Sequence, residues 1–219
     1  MSAVSQLDRE IQRRHLLKHP FYQAWSQGTL SREVLQDYAS QYFHFESRFP
    51  RYVAETYAHL EDPRDRRVLL ENLTDEEGRD PTHPELWLRF TRALGLPRGK
   101  VVSGPVAPQT RKLLETYEHL THDGSAVEGL SALYAYESIF PEVATEKSRG
   151  LRAFYGLRSP DAHEFFRVHA EADVEHSAAE RGVLARALQR NPASLPAAQR
   201  ATRRTVGSWW DFLSAFPAA

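Results

Sequence analysis

The chain has 219 residues, 41% of them hydrophobic, and a formal net charge of −1 at pH 7, which suits one large soluble domain. This charge balance gives no support for binding to nucleic acid or to an anionic membrane, and no apolar run approaches the length of a membrane span. The sequence contains no cysteine, which excludes disulfides, Cys-ligated zinc, iron–sulfur clusters and a cysteine nucleophile.

Apolar residues recur at three- and four-residue spacing along nearly the whole chain, and no alternating β-branched run competes with them. The sequence predicts helices over residues 4–18, 31–60, 63–77, 84–95, 107–121, 125–149, 160–190 and 195–215. Proline and glycine mark the breaks, and we find no internal repeat and no linker long enough to divide domains. We therefore expect a single all-α bundle of about seven or eight helices over the whole chain. The N-terminal residues lack the apolar region of a signal peptide, so we also expect a cytoplasmic protein.

The first candidate metal ligands in chain order are Glu76 and His83. They are seven residues apart, but Gly78 and Pro81 prevent one helix from running between them. We expect Glu76 at the end of one helix and His83 at the start of the next, with a pliable joint between them. An acidic helix end followed by an N-terminal His-Pro is also an ordinary pattern, so these residues alone do not identify a site.

Glu137 is the next candidate, because it lies in an otherwise aromatic and aliphatic stretch where an unpaired charge would be expensive. Pro141 follows four residues later and removes the hydrogen bond that the carbonyl of Glu137 would accept. We therefore expect the helix to bend at this carboxylate. A carboxylate paired with an arginine or a tyrosine in a kinked helix is an equally good interpretation.

Three residues of the late segment share one helix face: His169, Asp173 and His176. At about 100° per residue, steps of four and seven place them within about 60° of one another. Two imidazoles and a carboxylate there form half of a non-haem metal site, which favours an oxidative enzyme over a plain helical scaffold. A solvated polar face would show the same spacing. Four other polar residues of this segment are expected to face solvent or to lie around the site: His163, Glu171, Glu175 and Glu180.

His119, His122 and Asp123 form a further cluster, but Gly124 follows directly, so a solvated helix end is the better interpretation there. Without cysteine, any metal must be bound by histidine and carboxylate side chains, the donors that suit iron or manganese. Di-iron carboxylate sites in helical bundles draw such donors from several helices. The candidates above are therefore compatible with one shared dinuclear site.

Taken together, these segments resemble the haem-oxygenase-like di-metal oxidases, whose fold is shared with the TenA-type thiaminases and the pyrroloquinoline-quinone synthases. Within this group the chain looks most similar to the family of the Chlamydia protein associating with death domains (CADD), the self-sacrificing para-aminobenzoate synthases. The resemblance covers almost the whole chain. It rests on His19-Pro-Phe-Tyr22, Asp37-Tyr-Ala-Ser-Gln-Tyr42, Phe49-Pro-Arg-Tyr52, His83-Pro-Glu-Leu-Trp87, Tyr136-Glu137 and the His169-x3-Asp173-x2-His176 signature.

The resemblance implies a dinuclear Fe/Fe or Mn/Fe centre, with dioxygen as co-substrate and an external reductant. It implies six metal ligands: Glu76, His83, Glu137, His169, Asp173 and His176. It also implies that Tyr22 of the protein itself supplies the ring of para-aminobenzoate, a folate precursor, and that Lys147 donates the amino group. Tyr38 and Tyr136 match two further tyrosines near the site. A homodimer that turns over about once is the expectation from this family.

Other interpretations explain the same residues. Tyr22 suits an aromatic core with Phe21, Trp25 and Tyr42, and Lys147 suits the C-terminal end of a helix. Another oxidase of the same fold that acts on an external amino acid or fatty acid would use the same ligands. A TenA-type hydrolase needs a cysteine, which this chain lacks. A non-enzymatic helical interaction protein is a further alternative, although the surface pattern gives no support for binding to death domains.

Overall fold

A computed structural model describes residues 2–218, which contain twelve α-helices and no strand. The helices are α1 (Ala3–Arg13), α2 (Pro20–Gln27), α3 (Arg32–Glu46), α4 (Phe49–Ala58), α5 (Pro63–Glu77), α6 (His83–Ala93), α7 (Arg98–Val102), α8 (Pro108–Glu118), α9 (Ala126–Glu137), α10 (Phe140–Phe154), α11 (Glu164–Arg190) and α12 (Leu195–Leu213). Short 3-10 turns and one π turn lie between some of them. The predicted all-α class is confirmed.

Two of the predicted helical segments are each divided into two helices. Segment 31–60 breaks between α3 and α4, and segment 125–149 breaks between α9 and α10. In both cases a proline, Pro50 or Pro141, occupies the first turn of the second helix. The proline lacks a backbone donor and its ring clashes with the carbonyl four residues earlier, so the first helix ends there. The bend expected at Glu137 is thus a complete break.

Helix α2 lies outside the predicted helical segments. His19 caps it, because its Nδ1 accepts a backbone N–H of the first turn, and Pro20 occupies the first helical position. Helix α2 packs closely on α10, where a Cβ at Gly150 would lie 2.7 Å from Cδ1 of Trp25. The indole N–H of Trp25 donates to the carbonyl of Lys147 at 3.1 Å. This contact places the residues of α2 beside the middle of α10.

Helix α9 runs through the core, and every residue from Gly129 to Glu137 is buried. It packs against α4, α11 and α12, while α11 in turn contacts α5, α6, α9 and α10. The ends of α5, α6 and α9 that carry predicted ligands therefore meet around α11. Across residues 2–218, each helix is either too short or too polar to cross a lipid bilayer.

Candidate metal centre

Helix α11 carries His169, Asp173 and His176 on one buried face, with exposures of 3%, 1% and 7%. The Nδ1 of His169 donates to the backbone carbonyl of Phe165 at 2.8 Å, which leaves the Nε2 lone pair free. Burial lowers the pKa of His169 well below its usual value, so the ring is neutral. The alternative of a solvated polar face does not describe these three residues.

His176 is oriented by a carboxylate. Its Nε2 donates to Oδ2 of Asp75 on α5 at 3.0 Å, which leaves the lone pair on Nδ1. That Nδ1 lies 3.8 Å from Oδ1 of Asp173 and 3.9 Å from Oε1 of Glu137, without a hydrogen-bond partner in residues 2–218. An imidazole held by a carboxylate on one nitrogen, with the other facing oxygen atoms, is the usual arrangement of a metal-binding histidine.

The joint between α5 and α6 brings Glu76 and His83 together. Helix α5 ends at Glu77 and α6 begins at His83, so both residues lie at helix ends as the sequence predicts. The Nδ1 of His83 lies 2.8 Å from Oε2 of Glu76, and both side chains are only 1% exposed. The His83 ring lies 4.4 Å from the His169 ring, centroid to centroid. This buried pair therefore adjoins the donors of α11, and the alternative of an ordinary surface helix end does not describe it.

Glu137 is the last residue of α9 and is 1% exposed. The side-chain amide of Asn72 on α5 donates to both of its carboxylate oxygens, at 2.9 and 3.3 Å. The partner is thus an amide, not the arginine or tyrosine of the alternative interpretation. A neutral donor orients the carboxylate and leaves its negative charge available to a cation.

The donors form two groups that share Glu76. One group is Glu46, Glu76, His83 and His169, and the other is Glu76, Glu137 and His176. Within each group the ligand atoms lie within 4.8 Å of one another. Asp173 belongs to neither group but lies beside His176, as given above. Two neighbouring sets of nitrogen and oxygen donors joined by one carboxylate fit a pair of iron or manganese ions.

Unpaired polar atoms support the same fit. Buried polar atoms normally have hydrogen-bond partners, and a ligand atom reserved for a metal is an exception with a clear reason. The atoms of this region that lack such partners in the described part of the chain include four on predicted or neighbouring donors: His83 Nε2, His176 Nδ1, Glu46 Oε1 and Asp173 Oδ2. All four belong to residues around the two groups.

Buried negative charge is concentrated in this region. It comes from the carboxyl groups of Glu46, Glu76, Glu137, Asp173 and Glu180. Burial raises the pKa of Glu46, Asp173 and Glu180 well above their usual values, and neighbouring carboxylates raise these pKa values further. Bound divalent cations would neutralise the charge, whereas the metal-free protein must protonate some of these groups.

We expect the metal-free protein to lose stability as the pH rises above about 7, where the histidines are already neutral in both the folded and the unfolded state. A carboxyl whose pKa is raised on folding binds its proton more tightly in the folded state. Its stabilising contribution is therefore complete below the unfolded-state pKa and is lost as the pH rises through the folded-state pKa. Buried histidines with lowered pKa values, such as His169, oppose this trend below about pH 6.5, because they bind a proton in the unfolded state only. The three carboxyl groups outnumber Lys147, whose lowered pKa also opposes the trend, so the Tm of chelator-treated protein should fall from about pH 7 to about pH 8, and anaerobic Mn²⁺ should raise Tm most at the upper end. A metal-free Tm that rises over this range would contradict the prediction.

Glu46, the last residue of α3, is missing from the predicted ligand set. It is 2% exposed, and its Oε1 lies 3.8 Å from Nε2 of His169. One feature of the sequence could have identified Glu46 as a candidate ligand: it ends the largely aromatic stretch Tyr42-Phe-His-Phe-Glu46, much as Glu137 lies in an apolar stretch. Asn72 and Asp75, which orient Glu137 and His176, carry no comparable signal in the sequence.

The other polar residues named from the sequence divide into buried and exposed ones. Glu180 is 1% exposed and faces Glu137, so it lies around the site. His163 is also buried, with hydrogen bonds to Ser148 and to the carbonyl of Leu157, and does not face solvent. The residues that are exposed as expected are Glu171, Glu175, His119, His122 and Asp123.

Lys147 lies in the middle of α10 with a fully buried side chain, at 0% exposure. The interpretation that placed it at a helix C-terminus is wrong, because α10 continues to Phe154. Its Nζ has no hydrogen-bond partner within residues 2–218 and lies within 5.6 Å of several ring centroids. These rings, which we call the aromatic chamber, belong to Tyr22, Tyr38, Tyr42, Trp87, Phe140 and Phe166. Burial lowers the pKa of Lys147 well below its usual value, and the Glu46 carboxylate opposes that shift.

The predicted tyrosines lie in and beside this chamber. The hydroxyls of Tyr22 and Tyr38 are hydrogen-bonded at 3.0 Å, and those of Tyr42 and Tyr136 are also hydrogen-bonded. Burial raises the pKa of Tyr22 and Tyr38 well above the usual value, so both phenols are neutral. The Tyr22 ring also lies 6.3 Å from that of Trp25, so an aromatic packing role is compatible with the same contacts.

Phe140 and α3 connect the aromatic chamber to the metal donors. The Phe140 ring centroid lies 5.0 Å from Lys147 Nζ and 5.4 Å from the ring centroid of His169. On α3, Tyr38, Tyr42 and Glu46 follow one another at four-residue spacing and so share a helix face. One aromatic ring therefore separates the lysine amine from a candidate metal ligand.

Comparison with known proteins shows the family of the chain. A family model described as "Iron-containing redox enzyme" matches residues 36–210. The 4-aminobenzoate synthase of Nitrosomonas europaea is 38% identical over 217 residues, which cover 95% of this chain and 88% of the relative. The 4-aminobenzoate synthase of Chlamydia pneumoniae is 36% identical over 216 residues, which cover 98% of this chain and 95% of the relative.

The fold has a counterpart among solved structures. A TenA homologue from Pseudomonas syringae superposes with a TM-score of 0.85 at 16% sequence identity, covering 97% of this chain and 91% of that one. At this level of identity the likeness concerns the fold alone. It agrees with the helical architecture predicted from the sequence.

Proposed function

The chain belongs to the 4-aminobenzoate synthase family of haem-oxygenase-like, iron-containing redox enzymes, and from this we propose that it makes para-aminobenzoate (4-aminobenzoate) from its own Tyr22, with Lys147 as amino donor. Iron, or iron and manganese, would supply the oxidising power by activating dioxygen, with electrons from an external reductant. Because its own side chains are consumed, each chain would act about once.

The observation that carries this proposal is the position of the lysine amine. Lys147 Nζ lies 5.5 Å from the centroid of the Tyr22 ring, inside the aromatic chamber and one ring away from His169. A fully buried lysine without a hydrogen-bond partner is costly, and a chemical role for its amine gives a reason for that cost. The surrounding rings also keep water away from an oxidising reaction.

The chain's own groups would take part as follows. The Cα–Cβ bond of Tyr22 would break, leaving a glycyl residue in the chain, and dioxygen would oxidise Cβ to the carboxyl carbon of the product. The nitrogen of Lys147 would replace the phenol oxygen on the ring, which would leave as water, and the Cε–Nζ bond would break by two-electron oxidation and hydrolysis, so that Cε would remain in the chain as an aldehyde. A neutral amine is the nucleophilic form of lysine, and burial favours that form here. Tyr38 orients the Tyr22 hydroxyl through their hydrogen bond.

We propose that the six residues predicted from the family resemblance hold the metals. His169 and His176 of α11 each present one free ring nitrogen, because the other nitrogen is hydrogen-bonded to the carbonyl of Phe165 or to the carboxylate of Asp75, respectively. Glu76 lies in both donor groups and would join the two ions. The burial of all six residues and the contact of His169 with Phe140 of the aromatic chamber support this assignment.

Replacing Lys147 with methionine is expected to reduce para-aminobenzoate by about 100-fold or more, because the nitrogen source is removed while the apolar volume is kept. Metal content should be unchanged. Product per chain is measured by mass spectrometry, and Lys100→Met, at an exposed lysine, is the control. Protein labelled with ¹⁵N-lysine should yield ¹⁵N-labelled product, and unlabelled product would contradict the role of Lys147.

A second candidate function is the oxidation of an external amino acid or fatty acid. A surface cavity of about 300 Å³ reaches His83, and Arg79, Arg89 and Arg167 contribute to its lining. Asp80, Asp161 and Glu164 also line this cavity, so it offers a small polar molecule a route toward the metal donors without selecting its charge. Oxidase activity on an added substrate that persists in both Tyr22→Phe and Lys147→Met would support this function.

The family resemblance also supports a homodimer in the cytoplasm, and we propose this state for the chain. Analytical ultracentrifugation of the purified protein tests it. A single species with the mass of one chain across micromolar concentrations would contradict the dimer.

A further inference from the structure

A five-residue pattern occurs twice in the sequence, so the expectation that the chain contains no internal repeat is incomplete. The two copies are Glu46-Ser-Arg-Phe-Pro50 and Glu137-Ser-Ile-Phe-Pro141, which differ only at the middle position. The second copy contains a predicted metal ligand at its first position. The first copy contains Glu46 at the same place.

The two copies also have the same backbone conformation. In each, the glutamate is the last residue of one helix and the phenylalanine is the first residue of the next. The serines have φ and ψ of −66° and −12° in the first copy and −65° and −19° in the second. The residues after them have −108° and −13°, and −112° and −14°. Phe49 and Phe140 both pack on Tyr136, with ring centroids 5.5 and 4.9 Å away. Glu46 and Glu137 therefore extend from equivalent helix ends toward the same interior.

The Tyr42 hydroxyl favours the charged form of the Glu46 carboxylate, but one carboxylate oxygen remains unpaired. Glu46 is 2% exposed, and its Oε1 has no hydrogen-bond partner within residues 2–218. The same oxygen lies 3.8 Å from Nε2 of His169, the nitrogen that the bond to Phe165 leaves free. A ligand oxygen of Glu46 also lies within 4.8 Å of the ligand atoms of Glu76 and His83. The amine of Lys147 is a neighbour of this carboxyl group.

We propose that Glu46 is a metal ligand additional to the predicted set, and that it binds the metal held by Glu76, His83 and His169 from the side that faces Lys147. This inference rests on the two-metal centre proposed above. Glu137 serves the other metal in the equivalent way, so each copy of the repeat contributes one helix-terminal glutamate. Glu46 thereby fixes the metal on the side nearest the aromatic chamber.

Anaerobic metal binding to Glu46→Gln tests this role without any turnover. Wild-type protein should bind about two Mn²⁺ ions per chain in calorimetry. Glu46→Gln should keep one site and lose affinity at the other by about 10-fold or more. The Co²⁺ form should show more intense d–d absorption in the variant, because one metal loses a ligand and its coordination number falls. Glu55→Gln, at a partly buried glutamate of α4 that is hydrogen-bonded to Thr121, is the control and should match the wild type.

The fold of the variant is checked by the metal-free Tm, which should be equal to or higher than that of the wild type because a buried carboxyl group is removed. Glu46→Asp keeps the charge on a shorter side chain and should still alter the Co²⁺ spectrum. Unchanged affinity, stoichiometry and spectrum in both variants would overturn the role of Glu46 and leave the two-metal centre standing. A wild type that binds fewer than two ions would overturn both. Because no product is measured, failure of the para-aminobenzoate proposal does not affect this test.

Discussion

Replacing Tyr22 with phenylalanine is expected to abolish para-aminobenzoate formation while leaving metal binding intact. The variant keeps the ring and its packing but removes the hydroxyl that is hydrogen-bonded to Tyr38 at 3.0 Å. In the proposed reaction the nitrogen of Lys147 replaces this phenol oxygen, so a ring without it cannot follow the same course. Product per iron-loaded chain should fall by about 100-fold or more, measured by mass spectrometry after exposure to oxygen and reductant.

Tyr155→Phe is the matched control for this experiment. Tyr155 packs on Trp25, with ring centroids 6.0 Å apart, but its ring is not among those around Lys147. Its loss should leave the product yield within about twofold of the wild type. Undiminished product from Tyr22→Phe would show that Tyr22 is not the source of the product ring. Its role would then be limited to aromatic packing.

Replacing Glu76 with glutamine is expected to disable both metal positions at once. Glu76 is the one residue common to the two donor groups, and its side chain is 1% exposed. Glutamine has nearly the same shape but lacks the charge that binds a cation, so binding of both metals should weaken and product should fall to background. Metal content after gel filtration and product yield are the two measurements.

The neighbouring Glu77 provides the control, because it is exposed and belongs to neither donor group. Glu77→Gln should bind metal and form product as the wild type does. This pair of variants separates loss of a ligand from a general change of charge at the end of α5. Full metal content in Glu76→Gln would contradict the shared position of Glu76.

The helical fold and half of the site could be predicted from spacing along the sequence. The common face of His169, Asp173 and His176 could be predicted from helical periodicity alone, because all three lie in one regular helix, α11. The joint between Glu76 and His83 followed from Gly78 and Pro81, whose effect on a helix is local. Such local rules do not give the distance between helices, and convergence of α5, α9 and α11 therefore required the structure.

Glu46 and Lys147 illustrate what local patterns leave open. Glu46 lies thirty positions before Glu76, the nearest other member of its donor group in sequence, and only tertiary packing brings the two together. Lys147 precedes Ser148-Arg149-Gly150, a sequence typical of a helix end, yet α10 continues and the side chain enters the aromatic chamber. Helix α2, which the sequence did not predict, packs on this part of α10.

Mass spectrometry of the protein before and after aerobic iron loading tests the central claim most directly. The proposal predicts that formation of para-aminobenzoate is matched, chain for chain, by a loss of mass that peptide mapping places at Tyr22 and Lys147. An enzyme that acts on an external substrate would keep its full mass. Product formed in excess of the number of chains, with both residues unchanged, would contradict self-sacrifice.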